Sequence, residues 1–182
     1  MKHDPIQIMF DEHDVIMKTE RIIKELQGLW NNDAAGYVDA VQNLLTFFGE
    51  YADGYHHQKE EQVLFPAIVD HPDFKLFEII DEFNNHHDEF RQYAKDINEF
   101  LESENFADSY ETLRAYSSEL GDHMAAENDE LFVLAQNLLS ENELEKIYFL
   151  LQDIDMQLGV ERKVNLEQIP ENILENLNLK VR

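Results

Sequence analysis

Two carboxylates and four histidines of this 182-residue chain have the types and spacing of a metal site. His57 and Glu61, and again His123 and Glu127, stand four residues apart, which on a helix puts both side chains of a pair on one face. Each pair lies in an acidic run that feeds an apolar stretch, HHQKEEQVLF and HMAAENDELF. His13 and His87 fall on two further stretches with helical periodicity. Together these residues make the donor inventory of a dinuclear metal site inside a helix bundle.

Imidazole and carboxylate suit iron, manganese or zinc. The nitrogen-rich mixture favours iron over magnesium or calcium, which take mainly oxygen. Buried among Phe, Leu and Ile, six polar groups need compensation, because desolvation penalises each of them. If both carboxylates bridge, four imidazoles and four carboxylate oxygens supply about eight bonds. One oxide or hydroxide bridge brings the total to about ten of the roughly twelve that two octahedral ions take. One or two positions are then open to dioxygen, nitric oxide, peroxide or water.

Taken singly, His13 or His87 reads as an ordinary core histidine, and one His-x-x-x-Glu as a helix-stabilising pair. The constellation as a whole carries the metal reading. His56 and His57 diverge by about 100° on an α-helix, and Leu64 and Ile68 continue the stripe of His57, so His57 and Glu61 are taken as the inward pair. Glu60, which pairs by spacing with His56, is kept as a supporting or surface group. Phe83, Phe90 and Ala94 favour His87 over His86 in the same way. His3 and His71 fall in cap and loop positions, and Tyr116 shares a face with His123.

The elements that must position these groups are helices. Six Gly and four Pro cluster where the apolar periodicity breaks. Asp4 and Pro5 read as a cap and first residue of a helix ending near Trp30. A second runs from about Gly36 to Val69, with Pro66 expected to kink or end it. A third reaches about Glu104. A fourth starts at the capping pair Asp108 and Glu111 and carries Leu113, Leu120, His123, Glu127 and Leu131 inward. Ser140 and Glu143 open a shorter fifth helix to about Leu158, with Gly159 as its C-cap. The fold expected is all-α, an up-down-up-down four-helix bundle over residues 1–160, with a short additional helix within it and a packed or trailing tail over 161–182.

Composition bounds the function. Aromatic residues make up 11 %, including twelve Phe, enough to build one core despite the charge. With no Cys, disulfides, thiolate ligands and a Cys nucleophile are excluded. Thirty-nine acidic against fourteen basic residues, a net charge of −25, oppose nucleic acid or an anionic membrane as partner while attracting cations. The N-terminus has no basic region followed by a signal-like apolar run, and a soluble cytoplasmic protein is expected.

The stretches DEHDVI, HHQKEEQVLFP, HHDEFR and HMAAENDELFVLAQNLLS, in this order, resemble the hemerythrin-like HHE cation-binding family across about residues 6–158. The resemblance implies a four-helix bundle with a non-heme di-iron centre of two oxo- or hydroxo-bridged irons per chain. It implies His13, His57, Glu61, His87, His123 and Glu127 as ligands, with Glu61 and Glu127 as bridges. Oxygen-carrying hemerythrins have a histidine where this chain has Arg91 and an aspartate where it has Asn128. These departures point away from a simple oxygen carrier. The function expected is binding of a small diatomic ligand or peroxide for sensing, storage or detoxification. The alternatives are a di-iron oxidase or peroxidase and an iron-handling protein with a structural metal.

Overall fold

A computed structural model of the chain describes residues 4–177, and every regular element among them is helical. Helix α1, Pro5–Glu25, starts as its sequence dictates. The Asp4 carboxylate accepts the backbone N–H groups of Ile6 and Gln7 at 3.0 and 3.3 Å, and Pro5 takes the first position, where no N–H is needed. It ends earlier than Trp30, because Gly28 at φ 72° turns the chain into a single 3-10 turn, Leu29–Asn31.

Helix α2 spans 34–69 and is not uniform. Ordinary α-helix over Ala34–Phe47 gives way to wide π turns over Phe48–His57 and Glu60–Leu64, and α geometry returns over Phe65–Val69. Pro66 does not end the helix. It stands in the first turn after the second π segment, where the backbone ladder is already opened and its missing N–H costs little. Helix α3 is Phe77–Glu102. Helix α4 spans 106–138, starting two residues before the expected Asp108 cap, and carries a π turn over Glu127–Leu131.

Three further helices follow: α5 (Glu141–Leu158), α6 (Val160–Glu167) and α7 (Ile169–Asn176). The Ser140 and Glu143 capping box is present, and Gly159 at φ 83° turns α5 into α6. The tail is therefore two more helices as far as it is described. Here α5 and α7 pack on α1, and α6 and α7 on α2. His3 and residues 178–182 lie outside the described residues.

Helices α1–α4 share one apolar core, from Ile6, Met9 and Ile16 through Tyr37, Phe47 and Ile97 to Leu113 and Phe132. Burial of each such side chain contributes roughly 1.5–3 kcal/mol. Among the described residues no helix is long and apolar enough to cross a membrane.

Candidate metal centre

The π turns of α2 and α4 lie where polar residues enter this core. Their i→i+5 hydrogen bonds widen the helix and leave room for an extra inward residue. His56 and His57 both point inward, one to each side. A helix flanked by two neighbours has two inward directions, and consecutive residues about 100° apart can occupy both. His56 meets His13 of α1, ring centres 4.5 Å apart. His57 stacks on His87 of α3 at 3.8 Å and 7°.

The carboxylate that follows the histidines inward is Glu60. Spacing alone paired Glu61 with His57, but Glu61 stands at 29 % exposure, with its Oε1 2.8 Å from His87 Nδ1 and 2.7 Å from the Arg91 guanidinium. Glu60 is fully buried between the two sides, Oε1 3.5 Å from His56 Nε2 and Oε2 3.5 Å from His87 Nε2. Glu127 of α4 faces it, with Oε2 3.4 Å from His13 Nε2 and 3.3 Å from His123 Nε2. The donors form two groups that share Glu60: His57, His87 and His123 with Glu60, and His13 and His56 with Glu60 and Glu127. Within each group one ligand atom per residue lies within 4.8 Å of all the others.

Of the residues expected from sequence, His13, His57, His87, His123 and Glu127 are brought together here, Glu61 is not, and His56 and Glu60 join them. The doubled HH and EE of HHQKEEQ held the signal, because His56 and Glu60 are also four apart. Tyr116 packs between Phe48 and Phe90, ring centres 4.5 and 5.5 Å away. His71 accepts the Asp73 backbone N–H in the loop between α2 and α3.

Each imidazole is held from behind by its Nδ1. His13 meets Asn128 Oδ1 at 2.8 Å, His56 meets Glu12 Oε2 at 2.9 Å, and His87 meets Glu61 Oε1 at 2.8 Å. His57 meets Asp53 Oδ1 at 3.4 Å, and His123 meets His86 Nδ1 at 3.2 Å. A carboxylate only accepts, so His56, His57 and His87 donate from Nδ1 and keep the Nε2 lone pair. Arg91, in the position where oxygen carriers have a histidine, donates to both Asp53 and Glu61 and so steadies two of these supports.

Burial lowers His13, His87 and His123 below the ordinary imidazole range, and burial with the neighbouring His87 brings His57 to about 4. Burial pushes His56 well down. The imidazoles are neutral at pH 7, with lone pairs available. Burial, then the facing Glu127, pushes Glu60 well up, and burial does the same to Glu127. The Nε2 atoms of His13 and His56 and all four oxygens of Glu60 and Glu127 are buried without a hydrogen-bond partner. An uncompensated buried carboxylate costs about as much as one or two buried apolar side chains contribute. Lone pairs converging at 3.2–3.5 Å repel one another unless a proton or a metal cation lies among them, and the donor set fits a pair of metal ions.

A cavity of about 400 Å³, lined by His86, Glu89, Phe90, Glu119, Asp122, His123 and Ala126, reaches the cluster from the surface between α3 and α4. The family model described as hemerythrin HHE cation binding domain matches residues 4–135. No curated protein and no solved structure matches the chain.

Proposed function

Since the chain belongs to the hemerythrin HHE cation-binding family, we propose that it is a non-heme di-iron protein that binds a small exogenous ligand, dioxygen, nitric oxide or peroxide, in an up-down-up-down four-helix bundle. The observation that carries this reading is the set of buried, unpartnered donor atoms on His13, His56, Glu60 and Glu127, completed by His57, His87 and His123. A pair of irons held there would supply Lewis acidity and one-electron redox change.

The residues hold the two positions unequally. His57, His87 and His123 would serve one and His13 and His56 the other, with Glu60 shared by both groups and Glu127 beside both His13 and His123. If both carboxylates bridge, the first position has five protein donors and the second four, of about six each. The fifth imidazole leaves less room than the sequence alone suggested. Helix-borne ligands, each imidazole held at Nδ1, keep the donors in place while a ligand comes and goes. Surrounding Phe90, Phe132 and Phe65 exclude water, and the cavity beside His86 and His123 gives access.

Metal analysis of protein purified without added metal, read beside its absorption in air and after anaerobic reduction, tests this. Two irons per chain and a new charge-transfer band on adding azide or nitric oxide are expected. Two irons with no spectral response would overturn ligand binding and favour a structural metal. Steady peroxide turnover lost in His57→Ala would move the reading to an enzyme. Less than one transition metal per chain after reconstitution would overturn the metal centre itself.

A further inference from the structure

We propose that Asp155 of α5, acting through Lys59 and Glu12, is a positioning residue for His56, so that a helix beyond the matched span of the family builds part of the metal centre. The inference rests on the di-metal reading above.

Lys59 precedes Glu60 on α2, and its side chain is fully buried. Its ammonium has three donors and three partners: Glu12 Oε1 at 2.5 Å, the Tyr55 hydroxyl at 2.7 Å and Asp155 Oδ1 at 2.7 Å. Tyr55 in turn donates to Asp155 Oδ1 at 2.6 Å. The other oxygen of Glu12 accepts the His56 Nδ1 proton at 2.9 Å. One unbroken series of contacts therefore runs from α5 through α2 to α1 and back to a donor of the centre.

The direction of control follows from charge and flexibility. Glu12 is 3 % exposed, and as a carboxylate it accepts from both Lys59 and His56. An ammonium on a flexible stem goes where its anions are, and the two anions here come from different helices. Without the charge of Asp155, Lys59 shifts wholly onto Glu12 and draws its carboxylate from the line of His56 Nδ1. The imidazole then loses the acceptor that fixes its tautomer and ring plane, and its Nε2 is no longer held toward Glu60. The family match ends at residue 135, so Asp155 lies outside it. His13 is steadied differently, by the neutral amide of Asn128, so the two imidazoles of one position depend on different parts of the molecule.

The test is Co²⁺ titration of the metal-free full-length protein, read by d–d absorption and a competing chelator. Wild type takes two equivalents. Asp155→Asn is expected to weaken one of them about tenfold and alter its band, leaving the other unchanged. Glu12→Gln weakens the same equivalent, and the double variant is no weaker than Glu12→Gln alone, because both act through one series of contacts. Ile154→Ala, a buried apolar change on the same helix, lowers the melting temperature and leaves both equivalents intact. Wild-type binding and bands in Asp155→Asn, additive losses in the double variant, or an equal loss in Ile154→Ala would each overturn the role of Asp155. A wild-type chain that takes up no Co²⁺ pair would instead overturn the metal-centre reading, and this inference with it.

Discussion

A carboxylate at Glu60, with both oxygens buried among imidazole lone pairs, differs in kind from one at Glu61, which sits partly in solvent and accepts from Arg91 and His87. Glu60→Ala is therefore expected to abolish uptake of a metal pair. Glu61→Ala, which removes only a support, weakens it by roughly 10–100-fold. Equilibrium dialysis followed by metal analysis separates the two, and equal losses would contradict the placement of Glu60. Titration of His57 in the metal-free protein makes a second prediction. Its folded value is about 4, against 6.5 in the unfolded chain. Below 6.5 the unfolded chain therefore takes up the proton first, and the stability linked to His57 is full above 6.5 and lost as pH falls toward 4. The shift corresponds to roughly 3 kcal/mol. The stability of His57→Leu relative to wild type, from urea unfolding, should rise steadily from pH 7 to pH 4. A flat difference would contradict the burial of a neutral imidazole.

At the scale of the element, the π turns explain how α2 supplies both histidines of HHQKEEQ and the first carboxylate rather than the second. A single inward stripe on a uniform α-helix is the pattern that led from His57 to Glu61. The wide turns and the two flanking helices give α2 two inward directions. The turn from α5 to α6 is a separate matter of backbone freedom. Gly159 adopts φ 83° and ψ 143°, a region that L side chains avoid. Gly159→Ala is expected to cost about 1–3 kcal/mol, lowering the melting temperature by roughly 2–4 °C per kcal/mol, with metal stoichiometry unchanged. Calorimetry with metal analysis checks both halves.

For the whole molecule, an apolar core encloses six buried atoms that have no hydrogen-bond partner, and the chain carries a formal net charge of −25. A metal bound among these atoms would couple its binding to folding. Metal held at about 1,000 times its dissociation constant stabilises by about 4 kcal/mol. Chelation should thus lower the melting temperature by about 10 °C, an effect that His123→Ala should largely remove. Equal melting curves with and without chelator would show that the cluster tolerates its unpaired groups without metal.

Helical class, the capping of α1 by Asp4 and of α5 by Ser140, and the convergence of His13, His57, His87, His123 and Glu127 were legible in the chain. Each depends on spacing along one helix or on a local cap, and those are properties of neighbouring residues. The choice of Glu60 over Glu61, the entry of His56, the holding of five imidazoles by Asn128, Glu12, Asp53, Glu61 and His86, and the reach of Asp155 to Lys59 were decided only by tertiary structure. The reason is geometric. Which way a helical residue faces depends on how many neighbours the helix has and where its turns widen, and a hydrogen bond across 96 residues leaves no periodic trace in the sequence.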